Sequence, residues 1–132
     1  MRAFVDTSAF YALLDRGDQN HGSAKRAWTG ILERVEPSIT SNYVLVETFA
    51  LLQHRLGVGA VRGLQEDLIP ILRVEFVTPE QHQAGVSALL AADRRGLSLV
   101  DCVSFEVMRN LGIREVFGFD PHFKEQGFVL IS

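Results

Sequence analysis

Four acidic residues interrupt apolar segments of this 132-residue chain, namely Asp6, Glu47, Asp101 and Asp120. A carboxylate among apolar neighbours is costly unless it is paired or bound to a cation. No cluster of cysteine and histidine accompanies the four acids, so they would form a hard oxygen site, which suits Mg²⁺ or Mn²⁺. Such an ion lowers the pKa of bound water and orients it, and the chemistry that we expect is hydrolysis of a phosphodiester bond.

Glu47 is the sharpest anomaly among these acids. It lies inside the run YVLVETFALL, residues 43–52, in a predicted helix that is apolar nearly all round and is therefore expected to be buried. Asp6 directly follows a short apolar strand. Asp101 lies in the first turn of a predicted helix, where the helix dipole favours the ionised carboxylate.

Each acid also has a structural alternative. Ser98 and Asp101 fit a capping box, in which each side chain accepts a backbone N–H of the other residue. Asp120 fits an N-cap followed by proline, Asp6 fits a turn cap, and Glu47 could pair with a buried arginine. These alternatives stay open for the single residues, and it is their joint pattern that favours a metal site.

Hydroxyl side chains lie close to the acids in the sequence. Thr7 and Ser8 follow Asp6, and Ser104 lies one helical turn after Asp101. Their hydroxyls could hydrogen-bond a metal-bound water or a phosphate, although helix capping is the favoured role of Thr7 and Ser8. The four histidines lack the spacing of metal ligands and are predicted to be surface or capping residues: His21, His54, His82 and His122.

The predicted elements that position these residues follow the order β-α-α-β-α-α-β-α-α-β-β. Strands are predicted over residues 2–5, around 39, and over 73–77, 115–119 and 128–131, and helices over 7–15, 24–35, 41–56, 58–72, 80–94 and 98–112. A turn that contains Asp120 separates the last two strands. This order predicts an α/β sandwich with a central, mostly parallel sheet flanked by helices on both faces. Sites in such sheets gather at the carboxyl ends of strands, where Asp6 and Asp120 fall.

Composition limits the class of protein further. The chain is 47% hydrophobic and 22% charged, which is ordinary for a globular protein, and we expect one domain over residues 1–132. The single cysteine, Cys102, cannot form an internal disulfide, which favours the cytoplasm. No uninterrupted run of 18 apolar residues predicts a membrane segment. The net charge of -3 is unfavourable for binding nucleic acid, but bound cations would offset part of it.

The segments around the four acids resemble those of the PIN-domain ribonucleases, in particular the VapC-like toxins of prokaryotic toxin-antitoxin pairs. The matching segments are FVDTSAF (4–10), VET (46–48), SLVDCVSF (98–105) and FGFDPHF (117–123). The resemblance covers nearly the whole chain. It implies a PIN-like three-layer sandwich and a Mg²⁺- or Mn²⁺-dependent endoribonuclease, commonly a homodimer and often inhibited by a small antitoxin protein. In that family the four acids are catalytic and bind metal, with polar residues beside them at the positions of Thr7, Ser8 and Ser104.

Other classes of protein remain open from the sequence. An aspartyl-phosphate phosphatase also has an aspartate at the end of its first strand, but it usually needs a second aspartate two residues later, where this chain has Ser8. A module without catalytic activity could use an acidic pocket to bind a basic peptide. Within the PIN family, a nuclease of RNA processing is the alternative to a toxin.

Overall fold

A parallel sheet forms the centre of the computed structural model, which describes residues 2–132. Its strands within that range have the order β3-β2-β1-β4-β5, and every neighbouring pair is parallel. They are β1 (Ala3–Val5), β2 (Ile39–Ser41), β3 (Arg73–Glu75), β4 (Glu115–Phe117) and β5 (Val129–Ile131). The predicted α/β sandwich around a mostly parallel sheet is confirmed.

Helices connect the strands. They are α1 (Thr7–Leu14), α2 (His21–Leu32), α3 (Asn42–Arg55), α4 (Val58–Gly63), α5 (Pro79–Ala92), α6 (Leu99–Leu111) and α7 (Pro121–Glu125). The chain moves outward from β1 to β3 in one direction, and from β4 to β5 in the other. Right-handed connections therefore place the helices on opposite faces, and the order of the strands reverses between β1 and β4. This reversal is where parallel sheets most often bind ligands.

The segment 58–72 differs from the single helix that was predicted. It consists of α4, a π-helical turn at Leu64–Leu68 and a 3-10 turn at Ile69–Ile71. Pro70 lies within the 3-10 turn and has no N–H to donate to the carbonyl four residues earlier, so a regular α-helix cannot keep its full hydrogen bonding through this position. The prediction of one continuous helix here is wrong.

The segment between the last two strands also differs from the prediction. Residues 121–125 form α7 where a turn was predicted, and the alternative role of Asp120 as an N-cap followed by proline is confirmed. Asp120 accepts a hydrogen bond from the backbone N–H of His122, and Pro121 occupies the first turn, where its missing N–H costs nothing. This cap and proline are sufficient to begin a short helix.

Helix α6 is held close to α5 by a glycine. A Cβ atom added at Gly85 would lie 2.5 Å from Cγ2 of Val103 on α6, so only glycine allows this approach. Gly85 is also the buried residue of α5. The contact therefore positions α6, which carries Asp101. Among residues 2–132, no helix has the length and apolar character needed to cross a membrane.

Candidate metal centre

Asp6 lies at the carboxyl end of β1 and caps α1. Its Oδ2 accepts hydrogen bonds from the backbone N of Ser8 at 3.3 Å and from Ser8 Oγ at 2.8 Å. The residue is only 4% exposed. Burial raises the pKa of Asp6 to about 7, the hydrogen bonds from Ser8 oppose this shift, and the charges of Asp101 and Asp120 add to it. Asp6 is therefore close enough to these two aspartates for their charges to raise its pKa.

Ser8 and Gly118 join the start of α1 to the loop after β4. Ser8 Oγ accepts a hydrogen bond from the backbone N of Phe119 at 2.9 Å, and the backbone N of Asp6 donates to the carbonyl of Phe117 at 3.0 Å. A Cβ atom at Gly118 would lie 3.1 Å from both Asp6 Cβ and Ser8 Oγ. The absence of a side chain at Gly118 therefore lets the loop that leads to the fourth acid pass directly beside Asp6. Gly118 was not identified from the sequence.

Glu47 is half-buried, which corrects the expectation of a fully buried residue. Helix α3 buries one stripe, consisting of Val44, Leu45, Thr48 and Leu52. Val46, directly before Glu47, is 68% exposed. The apolar run thus includes residues that face outward, so the prediction that this helix is buried all round is wrong.

Two threonines connect α3 to α1 next to Glu47. The hydroxyl of Thr48 lies 2.7 Å from the carbonyl of Val44 and 3.0 Å from Oγ1 of Thr7, and all three residues are buried. Thr7 Oγ1 also donates to the carbonyl of Val44 at 3.4 Å. Thr7 thus fixes the turn of α3 that carries Glu47. Thr48 was not identified from the sequence, where a threonine inside a helix has no distinctive signal.

The electrostatic surroundings of Glu47 are acidic. Burial raises the pKa of Glu47, the Thr7 hydroxyl opposes this shift, and the charges of Asp101 and Asp120 increase it. Within residues 2–132 no lysine, arginine or histidine nitrogen lies within 4.0 Å of its carboxylate. The alternative of a buried arginine partner is therefore not met.

Asp101 is 8% exposed and takes part in the predicted capping box. Its backbone N donates to Ser98 Oγ at 3.0 Å, and its Oδ2 accepts from the backbone N of Ser98 at 3.1 Å. Burial raises the pKa of Asp101, the backbone of Ser98 lowers it, Asp120 raises it, and His122 lowers it. Desolvation thus outweighs the helix-terminal position that was expected to favour the ionised form.

Asp120 and His122 complete the group. His122 Nδ1 lies 3.0 Å from Asp120 Oδ1 and 3.6 Å from Asp101 Oδ2, and its side chain is 18% exposed. One ligand atom from each of these three residues lies within 4.8 Å of the other two. The prediction that His122 is a surface or capping residue is wrong. The segment Asp-Pro-His, with the histidine two residues after the cap, was the only signal in the sequence.

The predicted site residues therefore do not all lie equally close to one another. Asp101 and Asp120 form the tight group with His122, whereas Asp6 and Glu47 interact with these two aspartates through charge and are not part of the 4.8 Å group. Ser104, one turn after Asp101, is fully buried, and its hydroxyl has no hydrogen-bond partner in the part of the chain that is described. Its predicted role stays a prediction.

The donor chemistry of the site fits a divalent cation. Over residues 2–132 none of the four carboxylates has a lysine or arginine within 4.0 Å, and a histidine, His122, lies within that distance of Asp101 and Asp120. Buried like charges repel each other, and a cation relieves both this repulsion and the cost of desolvation. Carboxylate oxygens are the ligands that Mg²⁺ and Mn²⁺ prefer.

The family of the chain follows from its comparison with known proteins. The model of the PIN domain family matches residues 3–129, and the chain belongs to this family. The resemblance inferred from the sequence segments is thus confirmed.

The relatives include one protein with high overall similarity. The chain is 42% identical over 127 residues to the 23S rRNA-specific endonuclease VapC20 of Mycobacterium tuberculosis, covering 96% of this chain and 95% of that protein. The crystal structure of VapC20, described as a Sarcin-Ricin loop cleaving toxin, matches with a TM-score of 0.85 and 41% identity over 96% of both chains. FitAcB from Neisseria gonorrhoeae matches with a TM-score of 0.70 over 98% of this chain and 96% of its own, and at 12% identity this match shows the fold alone.

Proposed function

We propose that the chain is a metal-dependent endoribonuclease that hydrolyses RNA phosphodiester bonds and is the toxin of a type II toxin-antitoxin pair. The observation that carries the proposal is that the charges of Asp101 and Asp120 raise the pKa of both Asp6 and Glu47, while no lysine or arginine of residues 2–132 lies within 4.0 Å of any of the four carboxylates. Further support comes from the 42% identity to an endonuclease that is specific for 23S rRNA.

In this proposal the four acids hold Mg²⁺ or Mn²⁺. When bound, the ion supplies a water of lowered pKa and neutralises charge on the leaving oxygen. Ser8 orients the Asp6 carboxylate through its two hydrogen bonds, and Ser98 orients Asp101 through the capping box. Thr7 holds the turn that carries Glu47. Asp6, Asp101 and Asp120 are thus held by hydrogen bonds at the starts of their helices, and Glu47 by the contact of α3 with Thr7.

The raised pKa values have a consequence for metal binding. Asp6, Glu47 and Asp101 all hold protons more strongly than free carboxylates do. A cation must displace these protons, so its affinity rises with pH until the acids are ionised. For Asp6 this point lies at about pH 7.

For the substrate we propose structured ribosomal RNA. VapC20, which aligns over nearly the whole length of this chain, is named for cleavage of 23S rRNA and of the Sarcin-Ricin loop. Such a substrate implies that the protein acts in the cytoplasm. The partner that we propose is a small antitoxin protein, in keeping with the description of VapC20 as a toxin.

We also propose that the chain forms a homodimer. Three exposed apolar side chains lie on neighbouring elements: Val46 within α3, Leu56 at the end of α3 and Val58 at the start of α4. Exposed apolar area of this kind is characteristic of protein interfaces. Light scattering on the purified protein would test this proposal, and a monomer at all concentrations would contradict it.

Cleavage of an RNA that contains the Sarcin-Ricin loop tests the nuclease. We expect cleavage with Mg²⁺ or Mn²⁺, none with EDTA, and a loss of about 100-fold or more in Asp6→Asn and Glu47→Gln, because each change removes a charge at the site and keeps its shape. Asp93→Asn is the matched control. Asp93 is exposed and has a φ of 49°, a conformation that asparagine tolerates well.

The outcomes separate the alternatives. Equal cleavage by all four proteins, or cleavage that persists in EDTA, would overturn the proposed nuclease. Tight Mn²⁺ binding without cleavage of any RNA would favour a binding module. Arrest of growth on expression, relieved by a co-expressed antitoxin and absent in Asp6→Asn, distinguishes a toxin from a nuclease of RNA processing.

A further inference from the structure

His122 is directed into the acidic site from α7. Its Nδ1 atom is buried and makes no aligned hydrogen bond with any group in residues 2–132. The 3.0 Å contact with Asp120 Oδ1 is close but lacks the direction of a hydrogen bond, and Asp120 Oδ1 already accepts the backbone N–H of His122. A buried polar atom without an aligned partner is uncommon in folded proteins, and a bound ion is one of the partners that can satisfy it.

The geometry of the group suits a single cation. Ligands of Mg²⁺, Mn²⁺ or Zn²⁺ lie about 2.0–2.2 Å from the ion, so two ligands of the same ion are separated by at most about 4.4 Å. The donor atoms of Asp101, Asp120 and His122 lie within 4.8 Å of one another. Small rotations of these side chains would let all three contact one ion.

We propose that Nδ1 of His122 is a direct ligand of the divalent ion, together with the carboxylates of Asp101 and Asp120. This inference rests on the metal dependence proposed above and adds a nitrogen donor to what the sequence presents as an all-oxygen site. Imidazole binds Mn²⁺ and later transition metals well, whereas Mg²⁺ prefers oxygen. The site therefore discriminates between the two ions and favours Mn²⁺.

The other role open to this imidazole is to position the two carboxylates without touching the ion. The two roles differ in an observable way. Only a direct ligand places a ¹⁴N nucleus next to the metal, and only a direct ligand makes the loss of Mn²⁺ affinity exceed the loss of Mg²⁺ affinity when the histidine is replaced.

Electron spin echo spectroscopy of the full chain loaded with Mn²⁺ is the decisive experiment. We expect the ¹⁴N modulation of a coordinated imidazole in the wild type and its loss in His122→Gln, with retention in the control His54→Gln, an exposed histidine on α3. By calorimetry, we expect the Mn²⁺ affinity of His122→Gln to fall about 10-fold or more and that of Mg²⁺ to fall less.

Each outcome has one meaning. Bound Mn²⁺ without ¹⁴N modulation in the wild type, or modulation that persists in His122→Gln, would overturn this inference and leave the proposed nuclease intact. A wild type that binds neither Mn²⁺ nor Mg²⁺ would overturn the metal dependence as well. Since the wild-type spectrum decides the first question, the test holds even if His122→Gln does not fold.

Discussion

Replacement of Asp6 by asparagine should stabilise the metal-free protein at alkaline pH. The pKa of Asp6 is raised from 3.8 to about 7, mainly by burial. Between these values the folded protein binds more protons at this residue than the unfolded chain does, so the free energy of unfolding falls as pH rises through the window. Above about pH 7 both states are ionised, and the cost of burying the charge is fully present. Asparagine avoids this cost and still caps α1.

The magnitude follows from the width of the window. About two pH units separate pH 5 from the raised pKa, and each unit corresponds to about 1.4 kcal/mol. The stability advantage of Asp6→Asn over the wild type should therefore grow by about 2 to 3 kcal/mol between about pH 5 and about pH 8, as an order of magnitude. Glu47 and Asp101 also titrate with raised pKa values, but they are present in both proteins and largely cancel in the difference.

Urea unfolding in EDTA at several pH values measures this difference. Parallel profiles of wild type and Asp6→Asn would refute the argument, because they would show that the Asp6 carboxylate carries no burial cost. Saturating Mn²⁺ at about pH 8 should reverse the order of stability, since an ion that binds only the folded protein stabilises the wild type more. Asp93→Asn should follow the wild type throughout.

Three further predictions concern the frame of the site. Ser8→Ala should lower the free energy of unfolding by about 1–3 kcal/mol, because it removes the hydroxyl that joins the start of α1 to the loop after β4; a loss below about 0.5 kcal/mol in urea unfolding would show that this bridge is dispensable. Gly85→Ala should destabilise the protein by about 1–3 kcal/mol, because its Cβ atom would overlap α6. The control Gly30→Ala on α2, where a Cβ atom meets nothing within 4 Å, should instead stabilise the protein by up to about 1 kcal/mol. Equal shifts of the two variants in thermal unfolding would contradict this prediction. Glu47→Gln should weaken Mn²⁺ binding about 10-fold or more in calorimetry. Its stability should change little, since Glu47 is only half-buried. A destabilised variant with unchanged Mn²⁺ binding would assign Glu47 a structural role.

Local signals in the sequence were sufficient for the framework of the site. The apolar run before Asp6 predicted β1, and a serine three residues before Asp101 predicted the capping box that the structure contains. Such features depend on neighbours within one strand or one helical turn, so the sequence expresses them directly. The roles of the four acids in binding metal remain predictions.

Features that depend on distant contacts could not be predicted. The apolar run around Glu47 does not reveal which residues pack against α1, so its half-exposure became apparent only in the structure. His122 reaches the site because Asp120 begins α7 and turns the imidazole back toward α6. The spacing of residues along the chain does not show that α7 brings the His122 imidazole back to α6.

The central position of β1 has a consequence for biosynthesis. Asp6 is synthesised before the strand that pairs with β1 through Phe117 and before the loop that carries Asp120, and more than a hundred residues separate it from both. A nascent chain that has not yet supplied β4 therefore has no neighbour on that side of β1 and only part of its acidic centre. The order of translation itself keeps the centre incomplete while the ribosome is still adding the preceding helices.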